Sequence, residues 1–121
     1  MKKYIFLSGI ILSLYGCESN TYESLQEDPV VIVGKVTYNA NVKSIIDANC
    51  IACHSQNGEA SFTPLVTYAQ VKNAVLNTDL LDRIQRPNGA SGQMPKGGRM
   101  PQDKINTILQ WNTDGLLESE N

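Results

Sequence analysis

Two cysteines and the chain's one histidine stand together as Cys50-Ile51-Ala52-Cys53-His54. An apolar stripe at helical spacing, Tyr38, Val42, Ile45 and Ile46, runs directly into this motif, so the motif is expected to close a helix. That setting argues against two chemistries. A thioredoxin-type pair opens a helix after a strand, and no βαβ pattern surrounds Cys50. A zinc site needs four ligands, and a chain with three cysteines and one histidine has no second pair to supply them.

The C-x-x-C-H spacing is the attachment pattern of c-type haem. Each position has a chemical task. The thiols of Cys50 and Cys53 add across the two vinyl groups of the porphyrin, and their spacing sets both sulfurs on one edge of the ring. His54 then lies beneath the ring, where an imidazole nitrogen reaches the iron. Covalent attachment suits a chain this short. A length of 121 residues allows one small domain, and a core of that size usually needs a staple.

The sixth iron position needs another side chain, and no second histidine exists. The soft donors left in the mature chain are Met94 and Met100, each followed by proline. Met94 lies in a glycine-rich loop forty residues after His54, where the backbone can bring a thioether to the distal face. Met100 abuts the last helix, which ties its direction to that helix. Met94 is the preferred ligand and Met100 the alternative. A methionine packed in the core, with the sixth position open, is the remaining option.

The N-terminus reads as an address. Lys2 and Lys3 precede an apolar run from Tyr4 to Leu14, the pattern of a secretory signal peptide. The run falls short of the ~20 apolar residues that a membrane-spanning helix needs. It ends at Leu14-Tyr15-Gly16-Cys17, which resembles a bacterial lipobox, although Tyr15 is bulkier than usual there. Residues 1–16 are therefore expected to be a lipoprotein signal peptide, with Cys17 lipidated as the mature N-terminus. Residues 17–36 carry Glu18, Glu23, Glu27 and Asp28 and read as an acidic, lipid-anchored tether. Inside it, Val30-Val31-Ile32-Val33 is a run suited to a short strand or to packing on the domain. The formal charge of −2, with a pI near 5.3, argues against nucleic acid as a partner. It also leaves membrane attachment to the acyl chains alone.

Residues 37–121 form the expected haem domain. A second helix is announced by Thr67 and Gln70, a capping-box pair, and carries Tyr68, Val71, Val75 and Leu76. A short third helix starts near Thr78 or Asp79, carries Leu80, Leu81 and Ile84, and ends before Pro87. The stretch from Pro87 to Met100 holds four glycines and Pro95, so no regular element is expected there. The last helix opens with Pro101 at its first position, places Ile105, Ile108, Leu109 and Asn112 at helical spacing, and stops at Gly115.

With these residues in hand, the chain from about 38 to 118 resembles a class I cytochrome c domain. The resemblance rests on Cys50-Ile51-Ala52-Cys53-His54, on Met94-Pro95-Lys96-Gly97-Gly98 and on a closing helix that contains Trp111. It implies an all-α bundle of three to five helices wrapped around one covalently bound haem c. Cys50, Cys53, His54 and Met94 would then bind the cofactor, with His54 and Met94 on the iron. The family's first and last helices cross, which gives Trp111 a packing role. A proline after the haem motif offers its carbonyl to the proximal histidine, and Pro64 is the candidate here. The Met-Pro-x-Gly-Gly form, joined to a lipoprotein signal, resembles small anchored cytochromes of environmental Gram-negative bacteria.

The expected function is a monomeric, lipid-anchored electron carrier that cycles between Fe(II) and Fe(III), not an enzyme. A thioether ligand favours the reduced state relative to a two-histidine site. Its partners would be redox proteins met in brief, small-area encounters, with Lys96 and Arg99 orienting an acidic partner face. The expected location is a bacterial membrane facing the periplasm, the outer membrane being favoured because Glu18 rather than aspartate follows Cys17. The alternative function is a haem peroxidase or small-ligand sensor with an open sixth position. A haem-free anchored module would require the C-x-x-C-H to be accidental.

Overall fold

The computed structural model describes residues 33–120, which contain helices and no strands. The leader, Cys17 and most of the tether lie outside the described residues. Val33 is 92% exposed, and burial begins at Val36, the last residue of the expected tether. No helix among the described residues is long and apolar enough to cross a membrane.

The first helical segment starts with one π-helical turn, Tyr38–Val42, and continues as α1, Lys43–Asn49. Thr37 caps it in an extended conformation. Its hydroxyl accepts from the Ala40 N–H and its own N–H donates to Asn41 Oδ1 at 2.9 Å. Tyr38, Val42, Ile45 and Ile46 are all buried, as their spacing predicts.

Helix α2, Tyr68–Asn77, has the capping box read from Thr67 and Gln70, with both reciprocal hydrogen bonds formed. It buries Val71, Ala74 and Val75, while Leu76 points outward at 60% exposure. Helix α3, Leu80–Gln85, ends at Arg86, whose backbone is extended because Pro87 follows. Helix α4 runs Gln102–Thr113. Pro101 is its N-cap, not its first helical residue: with ψ 146° it stands outside the helix while its carbonyl accepts the Ile105 N–H. The buried face of α4 is Ile105, Ile108 and Trp111. Asn112, expected on that face, is exposed, because a three-residue step from Ile108 brings the larger indole inward.

These helices meet in one apolar cluster centred on Trp111, which is fully buried. Its ring lies 5.8 Å from Tyr38 and 6.3 Å from Tyr68, and the two tyrosines are 5.5 Å apart. The chain after α4 turns back at Gly115, φ +96°, to cover them. Leu116 follows at φ 56°, a costly conformation for leucine, with its side chain buried and its carbonyl taken by the Tyr68 hydroxyl at 2.8 Å. The Trp111 indole N–H donates to Leu117 O at 2.8 Å. Tyr38 and Asn39 N–H donate to the carbonyls of Leu117 and Glu118. The two ends of the domain are thereby joined over the aromatic rings.

Candidate functional site

The motif follows α1, which ends at Asn49, as a hydrogen-bonded turn that starts at the C-cap residue Cys50. Cys50 N–H donates to Ile46 O, and both Cys53 and His54 donate to Cys50 O. Residues three and four apart on such a turn share a side, so Cys50, Cys53 and His54 face one way. Cys50 is half-buried and Cys53 exposed, and the two thiols are not bridged. Burial pushes the Cys50 thiol up to about 11, so it is neutral at physiological pH.

The loop after the motif folds back onto it. Ala60 N–H donates to Cys53 O at 2.9 Å, and Leu65 N–H to His54 O at 2.8 Å. Gly58 makes the first closure possible, since a Cβ there would lie 2.1 Å from the Cys53 carbonyl oxygen. His54 Nδ1 lies 2.7 Å from the carbonyl oxygen of Thr63. A carbonyl only accepts, so the proton sits on Nδ1 and the lone pair on Nε2. This carbonyl was expected from Pro64. Thr63, one residue earlier, supplies it, because Leu65 N–H is already committed to His54 O and turns the intervening peptide the other way.

The second loop, Pro87–Met100, is irregular but closely wired. Buried Gln93 accepts from Gly89 N–H and donates to Pro95 O. Arg86 donates to Ser91 O, and Asn88 Oδ1 accepts from Arg99 N–H. Met94 N–H donates to Arg83 O at 3.1 Å, which hangs the start of the methionine segment on α3.

Between the two loops lies a cavity of about 640 Å³. Cys50, Cys53, His54 and Met94 all line it, and so does Met100. The sequence-predicted residues from two loops forty positions apart are thus on one wall system. Ile46, Leu65, Ala74, Leu80, Ile84 and Ile108 supply an apolar lining. The polar groups Glu59, Thr78, Asp79, Arg83 and Lys96 also border it. Asp79 Oδ1 and Arg83 Nε are paired at 2.8 Å, and the guanidinium holds the Asp79 carboxyl below its ordinary range. The Asp79–Arg83 pair and Phe62 were not read from the sequence. Phe62 borders the cavity at 86% exposure, and nothing in its local spacing marks it. The i,i+4 spacing of Asp79 and Arg83 was the signal available for the pair.

Among the described residues, no group of three or more His, Cys, Asp or Glu side chains is arranged to hold a bare metal ion. The donor set fits a c-type haem instead: two thiols and an imidazole on one turn, a thioether from a separate loop, and an apolar lining. The volume lies within the roughly 300–1,000 Å³ of ligand and cofactor sites. Compared with known protein families, curated proteins and solved structures, the chain gives no match.

Proposed function

We propose that the chain is a single-haem c-type cytochrome, a lipid-anchored electron carrier of class I cytochrome c type. One observation supports this above the others: Cys50, Cys53, His54 and Met94 border the same apolar cavity. Cys50 and Cys53 would hold the haem covalently as thioethers, and His54 and Met94 would ligate its iron. The bound group would supply one-electron Fe(II)/Fe(III) chemistry. The rest falls to the protein. The Thr63 carbonyl orients the His54 ring and keeps Nε2 free to coordinate. The aliphatic lining would give the bound group an apolar surface to rest against. Exposed Lys96, on the cavity border, puts positive charge where an acidic redox partner would approach. Cys17 would carry the lipid that holds the domain at a membrane facing the periplasm.

Absorption spectra test this reading on protein made with c-type haem maturation. The expected result is a c-type Soret band, sharp bands on reduction, and the weak red sulfur-to-iron band in the ferric form. Haem without the red band would overturn His/Met ligation in favour of an open site suited to peroxidase or sensor chemistry. Absence of haem would overturn the proposal altogether.

A further inference from the structure

We propose that Met100 is a second, buried thioether for the sixth iron position, standing behind Met94. This rests on the haem reading above. Both methionines border one cavity, although six positions separate them. The segment between them is closed by one internal bond and tied near both ends to the chain before it. Gly98 N–H donates to Pro95 O, Arg99 N–H to Asn88 Oδ1, and Met94 N–H to Arg83 O. The turn therefore presents both of its ends, 94 and 100, to the same space.

The two residues differ in setting. Met94 is half-buried on the loop, whereas Met100 is 3% exposed and belongs to the cluster that contains Ile84, Ile105 and Ile108. Valine, isoleucine and leucine make up most of that cluster, so packing alone does not call for sulfur at 100. Methionine adds a long unbranched arm with three rotatable bonds and a soft donor atom. With the one histidine and both cavity cysteines committed, these two thioethers are the soft donors left on the wall. Loss of Met94 is then answered from the core and not by solvent. An internal ligand lowers the apparent affinity for an added one by the fraction of time the position is open.

The test compares the haem-loaded full chain with its Met94→Ala, Met100→Leu and double variants. The readouts are the ferric red band and titration with imidazole. The expected result is that Met94→Ala keeps a red band, shifted or weakened, and binds imidazole about tenfold more weakly than the double variant. The Met100→Leu variant keeps the wild-type spectrum. Loss of the band in Met94→Ala, with imidazole affinity equal to that of the double variant, overturns the proposal while leaving the carrier reading intact. A wild-type chain that shows no red band defeats the carrier reading first. Because Met100→Leu preserves apolar volume, its thermal melt separates a folding defect from a ligation effect.

Discussion

The two halves of this domain are held together in different ways. Around Trp111, three aromatic rings lie within 6.3 Å of one another, and the C-terminal segment closes over them through backbone and side-chain hydrogen bonds. Around the cavity, two irregular loops shaped by hydrogen bonds complete a wall whose apolar part, including Ile46, Ala74, Ile84 and Ile108, comes from the helices. The first region is complete as a protein core. The second is a shaped lining whose apolar side chains face a space of about 640 Å³. A small helical chain thus has aromatic packing at one end and a cavity with an apolar lining at the other. In such a domain, stability and ligand capture should respond to different substitutions.

The largest test of that separation is Trp111→Ala. Removing a fully buried indole should cost about 3–5 kcal/mol in urea unfolding, a large share of an ordinary domain's stability. Gly58→Ala should break the other half. Its Cβ collides with the Cys53 carbonyl, so the loop must shift, at about 1–3 kcal/mol. Its clearer readout is covalent haem yield, which should fall further than that of a Trp111→Phe control of similar stability. A smaller effect of opposite sign is expected at Tyr38. Its hydroxyl is the one buried side-chain polar atom among the described residues without a hydrogen-bond partner, and such groups cost about 1–3 kcal/mol. Tyr38→Phe should therefore raise the denaturant midpoint with the slope unchanged.

The smallest effect concerns acid. Asp114 Oδ2 accepts from the Val36 N–H at 2.7 Å, and this bond, followed by the one from Gln110, holds the carboxyl below its ordinary value of 3.8. Its folded value is depressed, so its contribution is present above 3.8 and is lost as pH falls through the lower folded value. Melts of wild type and Asp114→Asn at a series of pH values should differ near neutrality and converge in that acid window. Haem-band positions should not move with either.

The contrast between the halves also governs what can be read from the sequence. Apolar periodicity located the helices because each has one buried face, and Thr67 with Gln70 marked a start through mutual hydrogen bonding. The π-helical turn at Tyr38–Val42 escaped, since the α and π registers bury the same early positions. Leu76 and Asn112 were placed on inner faces because spacing alone does not say how wide a face is. Among the candidate residues, Cys50, Cys53 and His54 stood out through their fixed C-x-x-C-H spacing, and the fold brings all three to one cavity. Thr63 was not, since any residue has a carbonyl and only the loop's closure decides which one meets His54. The Asp79–Arg83 pair and Phe62 reach the cavity through the tertiary arrangement of α3 and the loops, which no local pattern encodes.

The closure of the domain's first residues against its last has a mechanical meaning. Val36, Tyr38 and Asn39 are hydrogen-bonded to Asp114, Leu117, Glu118 and Ser119, all at the C-terminal end. Tension applied at residue 36 would be borne by this short clasp and the aromatic rings beneath it. The loops that carry His54 and Met94 lie farther along the chain, so a pull at residue 36 would load the clasp before it loads them.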